Sequence, residues 1–289
     1  MTANKIIFFT LILSFNIGLL QALDLSSTFN MGNLGFSSTN TSSTPHVIWG
    51  FSVTGKEDIS DSIAFSGSVI NDEISGNRLD SRLIFKSTYV IVGIGPSIAS
   101  FNNGQLQPKP AINGIATVQK EGVFFLTSEI YSTFGNLSDP ANDYSQLETS
   151  IALGFNVPNA ICTFSFRNKQ YTQFHSDSSA FVTKTTDLQN RYQMEADIHK
   201  KNIPFHLLIT LGYKSIQRLF PSNDPEERST AGIGSAFIGV GTIVKISKAF
   251  VLQAGIDSGL YNFSLSEELT PEDLPLYLFN TFLTATYTF

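Results

Sequence analysis

A histidine, an aspartate and two serines stand together at His175-Ser176-Asp177-Ser178. These residue types perform nucleophilic hydrolysis when a carboxylate orients an imidazole and the imidazole takes the proton of a serine hydroxyl. His175 and Asp177 could orient each other, but with Asp177 in that role no serine stands at the spacing required of the nucleophile. The segment is polar and predicts a loop. We therefore assign no catalytic residue and expect that the protein is not an enzyme.

Two Gly-Ile-Gly segments, at residues 93–95 and 232–234, match the start of a dinucleotide-binding loop. The third glycine of that motif and the helix that should follow it are missing from both. The glycines instead predict positions inside strands where a bulge forms or backbones pack closely.

Cysteine and histidine provide no recognisable metal site. Cys162 is the single cysteine, so an intramolecular disulfide is impossible. It is interpreted as a small apolar residue on an outward face, with an intermolecular bridge as the alternative. His46, His199 and His206 stand alone in sequence, so we predict no metal and no cofactor.

Charged residues form the third candidate set, because they alternate with apolar residues in many segments. They make up only 15% of the chain, against about a quarter in soluble proteins. If these segments cross a membrane, a charge facing lipid at mid-depth costs ~2–4 kcal/mol, so the charges should face a lumen. The predicted lumen-facing, pore-lining residues are Asp80, Arg82, Glu129, Glu148, Arg167, Arg191, Glu195, Asp197, Lys214 and Asp257, together with Lys169 and Lys245. Their balanced signs predict a weakly selective interior, or one in which the charges neutralise each other and close the path.

The elements that must position these charges are strands with a period of two. Residues 188–198 show the pattern most clearly. One face carries Leu188, Tyr192, Met194, Ala196 and Ile198, and the other carries Gln189, Arg191, Gln193, Glu195 and Asp197. Such alternation predicts a β-strand with one apolar and one polar face.

Similar segments recur along the chain and are joined by two kinds of connection. Short turns are predicted near residues 55 (Gly55-Lys56-Glu57-Asp58), 87, 120, 158, 201 and 248, and longer polar loops at 37–45, 71–78, 102–110, 136–144, 172–187, 215–229 and 264–275. This alternation predicts an all-β protein, a transmembrane antiparallel up-and-down β-barrel of about 14 strands. Both chain ends then lie on the short-turn, periplasmic side. Without a break at Lys86-Ser87-Thr88, the barrel has twelve strands.

Residues 1–22 predict a secretory signal peptide, with Lys5 before an apolar core and cleavage after Ala22. The alternative is an uncleaved anchor helix. The barrel domain is then 23–289. No later run approaches the roughly 18 apolar residues of a membrane helix. The net charge of −6 comes without a basic stripe, which argues against nucleic acid as a partner.

The last segment, 276–289, alternates without any charge and ends on Phe289. Here the sequence resembles the bacterial outer-membrane β-barrels, whose last strand typically ends in Phe after alternating aromatic or apolar residues. Tyr287 and Phe289 match that assembly signal, although the glycine often found inside it is absent. The resemblance implies a porin-like protein of the bacterial outer membrane, with outer-membrane lipid and the barrel-assembly machinery as partners. The general pattern is similar to that of spirochaete-type barrels.

Other barrel classes fit less well. A soluble β-sandwich or lipocalin-like barrel shows the same alternation, but a single soluble core would not use so many half-apolar strands. The outer-membrane phospholipases, which this chain resembles in length, need a serine two residues after the histidine. Asp177 occupies that position relative to His175, so a lipid hydrolase is not expected.

Three functions remain for an outer-membrane barrel. The first is a passive channel for small polar solutes. The second is a transporter for hydrophobic compounds of the fatty-acid type, which would need an N-terminal plug that residues 23–36 are too few to form. The third is a surface-exposed binding or adhesin barrel that uses the long loops.

Overall fold

The computed structural model describes residues 23–33, 47–72, 76–100, 108–134, 144–176, 182–200, 203–219, 230–265 and 278–289. The predicted signal peptide and most of the loops predicted at 37–45, 102–110, 136–144 and 264–275 lie outside the described residues. Among the described residues, no helix is long and apolar enough to span a bilayer.

The described residues form fourteen antiparallel strands in one closed barrel. The strands are β1 (Leu23–Gly32), β2 (Ile48–Ser60), β3 (Ile63–Asp72), β4 (Gly76–Lys86), β5 (Val90–Ser100), β6 (Lys109–Lys120), β7 (Phe124–Thr133), β8 (Tyr144–Val157), β9 (Ala160–Ser176), β10 (Val182–His199), β11 (Phe205–Leu219), β12 (Thr230–Lys245), β13 (Phe250–Ser264) and β14 (Phe279–Thr288). Each strand pairs with its neighbours in sequence, and β14 closes on β1. The predicted fourteen strands and the break at residues 86–88 are confirmed. The twelve-strand alternative is wrong.

The turn predicted at residues 55–58 is wrong. β2 continues to Ser60, and the chain turns at Asp61 and Ser62. Lys56 pairs with Asp24 on one side and with Ser66 on the other, so it belongs to the sheet. Glycine followed by charged residues is typical of turns. In this strand, however, those residues lie near the end of β2 that leads into the short turn, where Asp58 is exposed.

Several strands are longer than predicted, and β9 to β11 form a tall wall. Residues expected in the loops 71–78, 172–187 and 215–229 instead lengthen β3, β4 and β9 to β11, and His175 and Ser176 lie in β9 rather than in a loop. β9 and β10 have 17 and 18 residues, against 10 in β1 and β14. About 9–11 residues suffice to cross a bilayer, so the tall strands continue beyond the membrane. The residues in these outer parts of the strands are polar, and in sequence a polar segment resembles a loop.

The barrel is apolar outside and polar inside, the reverse of a soluble protein. On β10, the side chains of Tyr192 and Met194 are 50% and 43% exposed at the outer surface. The interior charges of Lys214 and Asp257 are only 4% exposed. The predicted alternation of β10 is therefore confirmed, and a soluble barrel with an apolar core is excluded for the described residues.

The glycines of residues 93–95 permit a close backbone approach, as predicted. A Cβ atom on Gly95 would lie 1.9 Å from the carbonyl oxygen of Ser81. The ladder between β4 and β5 is interrupted here, because Pro96 has no N–H to donate. Asn113 of β6 fills the gap: its Nδ2 donates to Ser81 O at 3.0 Å and to Ser97 Oγ at 2.7 Å.

Candidate functional site in the barrel lumen

Four neighbouring strands of the fourteen line the interior with small hydroxyl side chains. This hydroxyl wall runs across β14, β1, β2 and β3 and consists of Ser26, Thr28, Ser52, Thr54, Ser66, Ser68, Thr284 and Thr286. Its members bond to one another across the strands, as in the 3.0 Å contact between the hydroxyls of Thr28 and Thr284. Small side chains leave the space in front of this wall open.

A cavity of about 430 Å³ lies between the hydroxyl wall and a charged wall on β4 and β7–β9. Five predicted residues line it, namely Asp80, Arg82, Glu129, Glu148 and Arg167, and they are joined by Asp72, Arg78 and Lys169. Four of these eight side chains are basic and four are acidic. The cavity is therefore polar but carries almost no net fixed charge.

Arg78 lies at the centre of the charged wall. Its Nε is 3.0 Å from Asp80 Oδ2, and its Nη1 is 3.3 Å from Glu148 Oε1. Its guanidinium also stacks 4.1 Å from the ring centre of Tyr131. Sequence reasoning missed Arg78, because the predicted strand began at Leu79. Extending the alternation back by one residue would have placed Arg78 on the same face as Asp80.

Glu129 and Arg167 are the unpaired charges of the cavity. Glu129 of β7 and Arg167 of β9 both pair with Ser150 of the strand between them, so they lie at one level of the wall. Within the described part of the chain, neither side chain makes a hydrogen bond or an ion pair. Both are partly exposed to the lumen and can solvate a polar solute.

The adjoining wall carries three cations in one register row. Arg167 pairs with Arg191, and Arg191 pairs with Lys214 on the next strand. Like charges directly opposite each other destabilise a sheet, so each needs compensation. Arg191 receives it from Asp257, whose Oδ2 is 2.6 Å from Arg191 Nη2. Lys214 Nζ has no hydrogen-bond partner among the described residues and lies 5.6 Å from the ring centre of Phe237.

The short-turn end of the same wall holds the other predicted acids. Thr210 donates to Glu195 Oε2 at 3.4 Å, and Asp197 Oδ1 lies 2.9 Å from His206 Nδ1. His199 pairs directly with His206 across β10 and β11. The prediction that these two histidines stand alone is therefore wrong, because a hairpin brings together residues that are seven positions apart. His46 lies outside the described residues.

The opposite end of the wall contains contacts that sequence reasoning missed. Arg218 donates from Nε and Nη2 to the two carboxylate oxygens of Asp187, both at 2.7 Å, and both side chains are buried. Lys109 donates to the carbonyl oxygen of Tyr144 at 2.6 Å. Asp187 and Arg218 fell in predicted loops, so their shared face could not be inferred.

The remaining candidate residues lie away from the lumen charges. Cys162 pairs with Ala196 on the outward row of β9 and β10 and is half-buried. Asp177 and Ser178 lie outside the described residues. In the candidate assembly signal, the rings of Tyr287 and Phe289 are 4.6 Å apart, and Phe289 N donates to Leu23 O at 3.2 Å. The chain end is thus held at the seam of the barrel.

No family model matches the chain, and no curated protein matches it. Among solved structures, it is similar to a bacterial polysaccharide outer membrane secretin, with 10% identity over 93% of this chain and 99% of that chain and a TM-score of 0.48. It is also similar to an outer membrane channel from Pseudomonas putida F1, with 11% identity, 93% and 96% coverage and a TM-score of 0.43. A loop-deletion mutant of OmpT, an outer membrane protein of Vibrio cholerae, gives 9% identity, 92% and 99% coverage and a TM-score of 0.40.

The type of barrel follows from the distribution of side chains. Only closed barrels and helices satisfy all backbone groups inside a bilayer, and this barrel is closed. Its outer surface carries large apolar side chains, while its charges point inward and pair across the lumen. Short turns lie at one end of the barrel, and the start of β1 and the end of β14 lie at the same end. The chain is a closed, fourteen-stranded antiparallel β-barrel with the inside-out polarity of a barrel that spans a membrane.

Proposed function

We propose that the protein is a passive channel for small polar solutes. The observation that carries this proposal is the polar cavity between the hydroxyl wall and the charged wall. A barrel of about eight strands is filled by its own side chains, whereas fourteen strands enclose a wider interior. The hydroxyl wall consists of short side chains, and the cavity lies in front of it.

The chemistry of the two walls suits neutral or weakly charged solutes. Hydroxyl groups on one side can donate and accept hydrogen bonds. On the other side, Glu129 and Arg167 present opposite charges at one level. A hydrated solute passing between the walls can exchange its water for these groups. The balanced signs favour weak selectivity between cations and anions.

The alternatives find less support in this interior. A transporter for hydrophobic compounds would need an apolar route, but the cavity is lined mainly by charged and hydroxyl side chains. A binding or adhesin barrel would need no open lumen at all. A refolded protein without conductance would favour that class over a channel.

Chemical modification of the hydroxyl wall tests the proposal. Cys162 is first replaced by alanine, and cysteine is introduced either at Ser52, which faces the cavity, or at Val53, which faces lipid. A charged methanethiosulfonate reagent added to open channels in a planar bilayer should reduce the current of Ser52→Cys. It should leave the current of Val53→Cys unchanged. Equal responses, or no single-channel current in the unmodified protein, would refute the channel.

Replacing acids at the short-turn end tests selectivity. With Glu195→Gln and Asp197→Asn, the fixed charge that remains near Arg191 and Lys214 becomes more positive. The reversal potential in a salt gradient should then shift toward that of the anion. The recordings are made with a chelator present, so that bound metal does not contribute. Arg167→Gln should shift the reversal potential in the opposite direction, and an unchanged potential in both variants would show that ions avoid this wall.

A further inference from the structure

Three metal-ligating side chains meet at the short-turn end of the lumen. Asp197 and His199 are the last interior-facing residues of β10 before the turn, and His206 lies on the interior face at the start of β11. The alternation of β10 places Asp197 and His199 on one face. Direct cross-strand pairing places His206 beside His199. The three groups lie beside the β10–β11 turn, at one mouth of the lumen.

The ligand atoms are close but not bonded into a complete network. One ligand atom from each residue lies within 4.8 Å of the other two. The Asp197 carboxylate is 2.9 Å from His206 Nδ1 and 3.6 Å from His199 Nδ1. The two imidazole rings are stacked, with centres 4.9 Å apart. A single carboxylate therefore faces two imidazoles.

His199 Nδ1 is the group left without a hydrogen bond. It is shielded from solvent and has no hydrogen-bond partner among the described residues. Buried polar atoms normally have a hydrogen-bond partner. None of the described residues supplies one to His199 Nδ1, so we expect a bound ligand at this atom. The neighbouring ring of His206 and the Asp197 carboxylate lie within reach of the same bound ion.

We propose that Asp197, His199 and His206 bind a divalent transition-metal ion, with Zn²⁺ as the preferred candidate. Two imidazoles and one carboxylate form a donor set that Zn²⁺ accepts readily, with water as the fourth ligand. Bond lengths of about 2.0–2.2 Å require ligand atoms about 3.3–3.6 Å apart in a tetrahedron. The contacts of 2.9 Å and 3.6 Å from the Asp197 carboxylate to the two Nδ1 atoms are already near that spacing.

The site goes beyond the proposed channel function and does not depend on it. Carboxylates alone would suggest Ca²⁺ or Mg²⁺, which prefer oxygen ligands. The two nitrogen donors instead point to Zn²⁺, Ni²⁺ or Cu²⁺. A bound ion would link β10 to β11 at the turn and would place two positive charges beside Glu195 and Asp197.

Metal binding to the refolded full-length barrel in detergent tests the proposal. Isothermal titration with ZnCl₂ should give one site per chain, and titration with Co²⁺ should give the visible absorption of a tetrahedral nitrogen–oxygen site. Outer-shell changes already weaken metal sites by roughly 10- to 100-fold. His199→Ala, His206→Ala and Asp197→Asn, each of which removes a direct ligand, should weaken binding by at least that much.

Matched controls separate this site from adventitious binding. His46→Ala and His175→Ala remove the other two histidines of the chain, and Glu195→Gln removes the neighbouring acid. The two histidine variants should bind Zn²⁺ as tightly as the unmodified protein. Glu195→Gln, which removes a neighbouring negative charge but no ligand, should weaken binding less than any ligand variant does. Folding of each variant is checked by its heat-dependent mobility on gels.

Two results would overturn the metal site. One is a correctly folded barrel that binds no Zn²⁺ or Co²⁺ at micromolar concentration. The other is binding that survives in the His199→Ala/His206→Ala double variant or disappears with His46 or His175. Neither result involves conductance, so a failed metal site and a failed channel are recognised separately.

Discussion

Arg191 on β10 donates from Nη2 to Oδ2 of Asp257 on β13, at 2.6 Å and three strands further around the barrel. Neighbouring strands are about 4.8 Å apart, so the wall between them is about 14 Å wide. Glycines in the two intervening strands keep this space clear. A Cβ atom on Gly239 would lie 2.2 Å from Asp257 Oδ1, and one on Gly212 would lie 2.7 Å from the ring of Phe237. The ion pair therefore depends on residues that contribute no side chain.

Gly239→Ala should displace the Asp257 carboxylate and weaken its bond to Arg191. Hydrogen bonds to charged groups contribute about 1.5–3 kcal/mol, so we expect the free energy of unfolding to fall by about that amount. Reversible urea unfolding in lipid vesicles measures it. In an Asp257→Ala background, the clash is absent and Gly239→Ala should have a much smaller effect. Equal effects in both backgrounds would contradict this account of the glycine.

The bidentate pair of Asp187 and Arg218 should stabilise the tall wall. Asp187→Ala leaves a buried guanidinium without its carboxylate, which typically costs about 3–5 kcal/mol. Arg218→Lys tests the geometry, because an ammonium group cannot make two parallel bonds to one carboxylate. We expect both variants to unfold at lower urea concentration, with Asp187→Ala the less stable. A lysine variant as stable as the original protein would show that the two parallel hydrogen bonds are dispensable.

Cysteine labelling on β10 tests which face of the barrel wall contacts lipid. In a Cys162→Ala background, single cysteines at Tyr192 and Met194 should resist a water-soluble maleimide, because these positions face lipid. Cysteines at Gln193 and Glu195 should react through the lumen. Labelling is followed by the mass shift of folded protein in vesicles. The opposite pattern would require an inverted barrel.

Deleting Phe289 should impair assembly of the barrel. The deletion removes the ring that packs on Tyr287 and the backbone bond to Leu23 at the closing seam. We expect secreted protein that lacks the heat-modifiable, membrane-inserted form. Thr288→Ala is the control, because it removes only the exposed hydroxyl contact to Asp24. Normal insertion of the truncated chain would show that the terminal aromatic residue is not an assembly signal.

The sequence by itself determined the local geometry of this protein. A period of two sets which side chains share a face of a strand, and this depends only on the backbone and on neighbouring residues. Hence the outward positions of Tyr192 and Met194, and the break at residues 86–88, could be predicted from the order of apolar and polar residues along the chain. Turn chemistry was less reliable: Gly55 is followed by charged residues, yet it lies within β2.

Only the tertiary structure decided which interior groups meet. Closure of the barrel and the register of each hairpin bring His199 onto His206 and place Arg78 beside Glu148. These contacts join residues that are distant in sequence or lie on different strands, and alternation carries no information about the register between strands. The balance between open space and ion pairs in the lumen therefore arises from how the fourteen strands close, because closure alone sets the distances across the barrel.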